Sequence, residues 1–271
     1  MDCVQQIERS IIKKYRKPIW NNFIGALKDY EMIKAGDRIA VCLSGGKDSF
    51  LLAKCLQELH RHGSEVPFKL DFIVMDPGYK PENRRQIEDL LHITGIEAHI
   101  FDSPIFSVVN KQEGTPCYLC ARMRRGYLYK FAKELGCNKI ALGHHFDDVI
   151  ETIMMSMLYG AEMRTMMPKL HSLNFPGMEL IRPLYLVREQ DISAWARYND
   201  LTFLRCACSV TDRRENNSKR AEIKALLAQL RQKNPQSDIN IFRSAENVNL
   251  ETIISYRKGD QITSFLDEYE Q

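Results

Sequence analysis

A short apolar run at residues 38–43, Arg-Ile-Ala-Val-Cys-Leu, passes straight into Ser44-Gly-Gly-Lys-Asp-Ser49, and helical periodicity then holds to His62 before Gly63 stops it. This order constrains the fold more than any other feature of the chain. A buried strand, a glycine turn and a helix open a strand–helix–strand unit, and the same alternation repeats downstream. Residues 68–75 read as a second strand ending at Asp76-Pro-Gly, residues 81–94 as a helix closed by Gly95, and residues 97–101 as a third strand. Thr115-Pro116 opens a helix through Leu135, Thr suiting the cap and Pro the first helical position. Residues 139–142 give a fourth strand, Asp147 and Asp148 start a helix running to Tyr159, and residues 180–184 give a fifth strand.

Such alternation predicts an α/β fold, a doubly wound parallel five-stranded sheet whose ligands sit beyond the carboxyl ends of the strands. Residues 1–36 read as helix, with Ile7, Ile11, Ile12, Ile19, Phe23, Ala26, Leu27 and Tyr30 at helical spacing. After residue 186 the pattern turns mainly helical, over 188–198 and 214–233. The expected organisation is a helical extension (1–36), a central ATP-binding and catalytic domain (37–205), and a mainly helical C-terminal region (206–271) packed on it. Residues 247–271 suggest no role.

Hydrophobic residues at 44% and charged residues at 27% are ordinary for a globular chain. No run approaches the roughly 18 apolar residues of a membrane span, and the N-terminal residues carry no apolar signal core, so a cytoplasmic protein is expected. The net charge is only +3, but five basic and no acidic residues lie between Arg122 and Lys133. Eight basic residues face three acidic ones between Arg205 and Lys233. Two such stretches suit an anionic partner, nucleic acid first, although solvated helix faces give the same pattern.

The Ser44–Ser49 segment reads as an anion-binding loop. Its two glycines allow close backbone approach and inward N–H groups, the helix behind it favours negative charge, and Ser44, Lys47 and Ser49 add side-chain contacts. It is not a Walker A loop, which needs Gly where Val41 stands and Ser or Thr where Asp48 stands. A second motif, Leu142-Gly-His-His-Phe-Asp-Asp148, follows the fourth strand; there Asp148 with Glu151 also reads as a capping pair, and His144 and His145 as structural histidines.

Eight cysteines in a cytosolic chain do not make a disulfide framework. Cys42 and Cys55 sit in apolar runs as core residues; Cys3 and Cys137 are scattered. The other four form pairs, Cys117-Tyr-Leu-Cys120 at the start of a helix and Cys206-Ala-Cys208. Thiols at i and i+3 share a helical face, and the helix N-terminus favours the thiolate that metals need. On spacing alone the four suit zinc or an iron–sulfur cluster equally.

Read in order over roughly residues 38–208, SGGKDS, CYLCARMRRGYLYKFAKELG, KIALGHHFDDVIETIMMSMLYG, MMPKL and IRPL closely resemble the tRNA 2-thiocytidine synthetase family of the pyrophosphate-loop (N-type ATP pyrophosphatase) superfamily. The resemblance implies an adenine-nucleotide alpha hydrolase-like sheet and an ATP-dependent tRNA sulfurtransferase, which adenylates the C2 oxygen of an anticodon-loop cytidine and replaces it with sulfur. It implies nucleotide contacts from Ser44, Gly45, Gly46, Lys47, Asp48, Ser49, Met75, Gly143 and His144. Lys47, Asp48 and Asp147 take catalytic roles, the two carboxylates beside Mg2+. It also implies a [4Fe-4S] cluster on three cysteines, with one iron left open for a transferable sulfide. Cys117 and Cys120 carry over directly; where the family shows a second CxxC this chain has Cys206 and Cys208. Phe146 stands where the family has Arg, and Met75-Asp-Pro-Gly-Tyr79 departs from the usual sequence. Expected partners are tRNA and a sulfur donor, either a cysteine desulfurase or free sulfide, and a homodimer is compatible. Rival readings are uridine or small-molecule thiolation, lysidine-type amine ligation, and a zinc-stabilised RNA-binding protein without turnover.

Overall fold

Strand β1, Arg38–Leu43, is buried at five of its six positions, which requires strands on both edges and layers on both faces. A computed structural model describes residues 3–63, 66–109, 116–204, 219–267 and 269. In it β1 pairs in parallel with β2 (Lys69–Asp76), from Arg38 opposite Lys69 to Leu43 opposite Val74. Its other edge pairs in parallel with β4 (Lys139–Ala141), Ile39 opposite Lys139. β3 (Ala98–Asp102) continues the sheet beyond β2, and β6 (Glu179–Ile181) continues it beyond β4, both parallel. The five anticipated parallel strands are therefore present. A sixth, β5 (Lys169–His171), joins β6 antiparallel at the edge, giving the order β3-β2-β1-β4-β6-β5. The progression of strands reverses between β1 and β4, so a crevice opens beyond their carboxyl ends.

Helix α3 (Lys47–His62) follows β1 and is buried almost all round, with Phe50, Leu51, Leu52, Ala53, Cys55 and Leu56 fully covered. Its Lys54 is also fully buried and donates to Glu8 Oε1 (2.7 Å), Gln57 Oε1 (2.6 Å) and the Thr94 carbonyl (2.8 Å). Glu8 belongs to α1 (Cys3–Arg9) and Thr94 to α4 (Pro81–Thr94), so one cation fastens three helices. Burial pulls the Lys54 ammonium below its ordinary pKa, against the pull of Glu8. On one face of the sheet α6 (Pro116–Glu134) packs Tyr129 and Ala132 against Ala40, Cys42, Ile73 and Ile140. Cys42, Cys55 and Cys137 are free thiols inside the core, and burial raises the pKa of each.

The N-terminal residues do not form one continuous helix. α1 is followed by wide π turns at Ser10–Lys14 and Arg16–Trp20, then α2 (Asn21–Asp29). Pro18, lying in the second of these, has no N–H for the ladder. Strand β6 stops at Ile181 rather than at residue 184, since Pro183 cannot donate to a neighbour. The remaining helices of this region are α5 (Ile105–Val109), α7 (Phe146–Gly160) and α8 (Glu189–Tyr198).

The chain divides into two compact units, residues 1–149 with 166–216, and residues 150–165 with 217–271. The second contains α9 (Lys219–Lys233), α10 (Ser237–Ser244) and a hairpin of β7 (Ser255–Lys258) and β8 (Gln261–Ser264), a segment with no evident strand signal. Glu151, almost wholly buried, receives Arg220 Nε at 2.6 Å and Lys224 Nζ at 3.6 Å; it is not the capping partner of Asp148. Arg231 and Asp238 join α9 to α10 at 2.7 Å.

At the amino ends of the central strands, Lys139 Nζ lies 2.9 Å from both Asp37 Oδ2 and Glu179 Oε2, and donates to the Met32 carbonyl at 2.7 Å. Removing one member of a buried ion group strands the others, so Lys139→Met is expected to lower unfolding free energy by about 3–5 kcal/mol. Urea unfolding measures this, and neutralising Asp37 and Glu179 in the same chain is expected to restore much of the loss.

Candidate functional site

The loop after β1 is closed by its own side chains. Ser49 Oγ accepts from the Ser44 N–H (3.1 Å) and the Ser44 hydroxyl (3.3 Å), and donates to the Gly46 carbonyl (2.8 Å). Gly45 adopts φ +87°, and a Cβ there would lie 3.2 Å from Leu204 and 3.3 Å from Ile87, so both conformation and space call for glycine. The loop delivers the chain into the N-terminus of α3, whose first N–H groups have no partners within the helix and favour an anion. Lys47 Nζ stands 3.1 Å from Asp48 Oδ1 and 3.1 Å from Glu189 Oε1. Burial alone would lower its pKa, but the two carboxylates raise it above the ordinary value, so Lys47 is a cation at neutral pH.

Across the crevice, the segment after β4 presses onto this loop. A Cβ on Gly143 would meet Asp48 C and Ser49 N of the backbone at 2.9 Å. That contact brings His144 and Asp148 to the same cavity as Ser44, Asp48 and Ser49. Asp148 Oδ2 accepts the His145 N–H at 3.0 Å, a capping contact on α7, and lies 3.6 Å from His145 Nε2; Asp48 Oδ1 is 3.8 Å from the same nitrogen. Asp147 is placed differently. Its Oδ2 accepts the Glu189 N–H (2.7 Å) at the start of α8, and Asp148, not Asp147, lines the cavity.

The cavity measures about 1150 Å3, more than the roughly 300–1,000 Å3 of a typical small-molecule pocket. Met75, Gly143 and His144 line it beside the loop, and Arg122, Arg124 and Arg125 of α6 form a basic wall. Two features carried no signal in the sequence, and a third carried only a faint one. Asp76 accepts the Gly78 and Tyr79 N–H groups (2.8 and 2.7 Å) and Arg84 (2.7 Å), shaping the turn after β2 so that Tyr79 reaches the cavity. Burial opposes the Asp76 charge, but these donors hold its carboxyl below the usual range. Tyr129 stacks on Phe175 with ring centroids 5.1 Å apart. Arg182, only 9% exposed, lines the cavity and donates to the Met167 carbonyl; burial pushes its pKa down to about 10. Only its place in the Ile-Arg-Pro-Leu run hinted at it.

Of the clustered cysteines, Cys117 and Cys120 lie in the first turn of α6. Cys120 is a free, half-buried thiol packed in a group with Met75, which itself lines the cavity. Cys206 and Cys208 lie outside the described residues. Among the described residues no cluster of three or more His, Cys, Asp or Glu side chains forms a metal site, and no helix is long and apolar enough to cross a membrane. A CxxC turn whose described thiol, Cys120, is free and packs beside the cavity-lining Met75 is chemically suited to an iron–sulfur cluster.

Gly143→Ala is expected to cost about 1–3 kcal/mol of stability, since the extra methyl meets backbone rather than a side chain. The same variant should push β4 and α3 apart and weaken adenine-nucleotide binding by about tenfold for each 1.4 kcal/mol lost. Thermal unfolding and titration calorimetry measure the two effects.

Residues 17–227 match the PP-loop domain family (ATP_bind_3). The chain is 38% identical over 247 residues to a tRNA-cytidine(32) 2-sulfurtransferase of Alcanivorax borkumensis, covering 89% of this chain and 84% of that protein. It is 37% identical over 243 residues to the protein of that name from Chromohalobacter salexigens, covering 87% and 81%. Among solved structures it resembles the U34-tRNA thiolase NcsA from Methanococcus maripaludis with its [4Fe-4S] cluster, at TM-score 0.65 and 25% identity over 86% of this chain and 80% of that one. With the phosphate loop, the CxxC helix and the arginine wall around one cavity, the chain belongs to the tRNA-cytidine(32) 2-sulfurtransferase family of PP-loop enzymes.

Proposed function

We propose that this enzyme thiolates cytidine 32 of tRNA in the cytoplasm, spending ATP to make the C2 oxygen of the base a leaving group. The observation that carries the reading is the convergence on one cavity of Ser44, Asp48 and Ser49, with Gly45, Gly46 and Lys47 outside its lining, and the arginine wall of the helix whose start holds Cys117 and Cys120. The base oxygen attacks the α-phosphorus of ATP and pyrophosphate departs. Sulfide then adds at C2 and AMP departs with the former C2 oxygen. The sum is cytidine, ATP and hydrosulfide giving 2-thiocytidine, AMP, pyrophosphate and a proton, with no net oxidation.

The loop amides at the N-terminus of α3 and the ammonium of Lys47 neutralise the departing pyrophosphate. Asp48 is the leading ligand for Mg2+, with Asp148 rather than Asp147 as the second carboxylate, because both Asp48 and Asp148 line the cavity. Arg122, Arg124 and Arg125 take the tRNA backbone, which makes binding salt-dependent. Anticodon-loop bases suit such a site because they can be unstacked. Cys117, Cys120 and one cysteine of the 206/208 pair would hold a [4Fe-4S] cluster, which when bound would carry the sulfide to be transferred. The sulfur itself comes from a cysteine desulfurase or from free sulfide. A uridine target is the second reading, favoured by the likeness to a U34-tRNA thiolase.

Radiolabelled ATP and matched tRNA transcripts test the assignment. AMP and pyrophosphate release should require cytidine at position 32 and disappear when it is uridine; the converse supports the second reading. Asp48→Ala and Lys47→Ala should each slow release by about 10²–10³-fold, as loss of one charge-stabilising contact does. Cys120→Ser should retain ATP cleavage and lose sulfur incorporation. Pyrophosphate release that survives Asp48→Ala would contradict the scheme.

A further inference from the structure

The β5–β6 hairpin contributes to the cavity through its tip, residues 172–178, and the tip is firmly held. The Ser172 N–H donates to the Met178 carbonyl (2.9 Å), the Phe175 N–H to Ser172 Oγ (3.2 Å), and the Met178 N–H to the Phe175 carbonyl (3.0 Å). Phe175 is stacked on Tyr129 of α6, and Met178 is buried in the core. Leu173 departs from this pattern. It is 97% exposed, the most exposed large apolar side chain among the described residues, and it stands at the rim of the cavity.

Single exposed leucines are common and need no explanation on a mobile loop. This one is carried by a tip tied on both sides, at the mouth of a cavity whose α6 wall is basic. A polyanion held by Arg122, Arg124 and Arg125 would meet the tip as its target base enters. Entry requires that the base leave its stack, and proteins that unstack bases commonly insert an apolar side chain, Leu among them, into the gap.

We propose that Leu173 is a positioning residue that wedges into the anticodon loop and fills the slot vacated by the target base. The inference rests on the tRNA reading above and adds to it the device that exposes the base. It makes no contact with ATP or the reacting atoms. Its work is to hold the neighbouring bases apart while the cytidine occupies the cavity.

The test uses the full-length enzyme, a non-hydrolysable ATP analogue, and an anticodon stem-loop with 2-aminopurine immediately 3′ of the target cytidine. The native enzyme should raise 2-aminopurine fluorescence on binding, Leu173→Ala should not, and Leu173→Met should recover the rise. In turnover, Leu173→Ala should lower thiolation of the intact loop by about 5- to 100-fold, the worth of one stacking contact. It should show no deficit on a loop whose nucleotides flanking the cytidine are abasic, where nothing remains to be unstacked. An unchanged Tm excludes a folding defect. A native enzyme that leaves the fluorescence flat, or a Leu173→Ala deficit that persists on the abasic substrate, overturns the wedge. If the native enzyme thiolates no tRNA, the functional reading fails, and the fluorescence arm still decides the wedge.

Discussion

Two backbones touch where Gly143 meets Asp48 and Ser49, and the geometry of the site follows from that contact. It lies beyond the carboxyl ends of β1 and β4, the pair at which the strand progression reverses. One side supplies the N-terminus of α3 with its loop, the other supplies His144 and Asp148. A side chain at position 143 would separate them, and the two carboxylates near His145 would no longer serve one cavity. The sheet beneath is held at its opposite end by the buried Lys139 group, so the strands that define the crevice are pinned away from it.

The electrostatics divide the cavity by task. Lys47, flanked by Asp48 and Glu189, is a positive charge already compensated, so the loop can sit partly buried without a ligand. Arg122, Arg124 and Arg125 stand on a separate helix, so the cavity's basic wall is distinct from the loop after β1. Arg182 is a fifth cation, buried and anchored to the Met167 carbonyl. Its burial also lowers its pKa.

The sequence revealed most where one signal dominated. β1 matched its apolar run, and α4 matched its Pro start and Gly stop, because backbone chemistry alone sets those limits. The family resemblance pointed to Asp147, whereas Asp148 lines the cavity. Neighbours on a helix point about 100° apart, and only the packing of α8 against α7 decides which one faces the crevice. β5 has three residues, too few for a period, and so the hairpin that carries Leu173 and Phe175 went unread. The π turns around Tyr15 and the role of Arg182 likewise depend on tertiary contacts. The pair Cys206 and Cys208 lies outside the described residues.

If one cavity couples ATP cleavage to replacement of oxygen by sulfur on a tRNA cytidine, neither half-reaction yields product alone. Mass spectrometry of nucleosides from tRNA incubated anaerobically with the reconstituted enzyme, ATP and sulfide tests it most directly. 2-Thiocytidine should form only when ATP and sulfide are both present. Unmodified cytidine under these conditions, or thiolation that proceeds equally well without ATP, would contradict it.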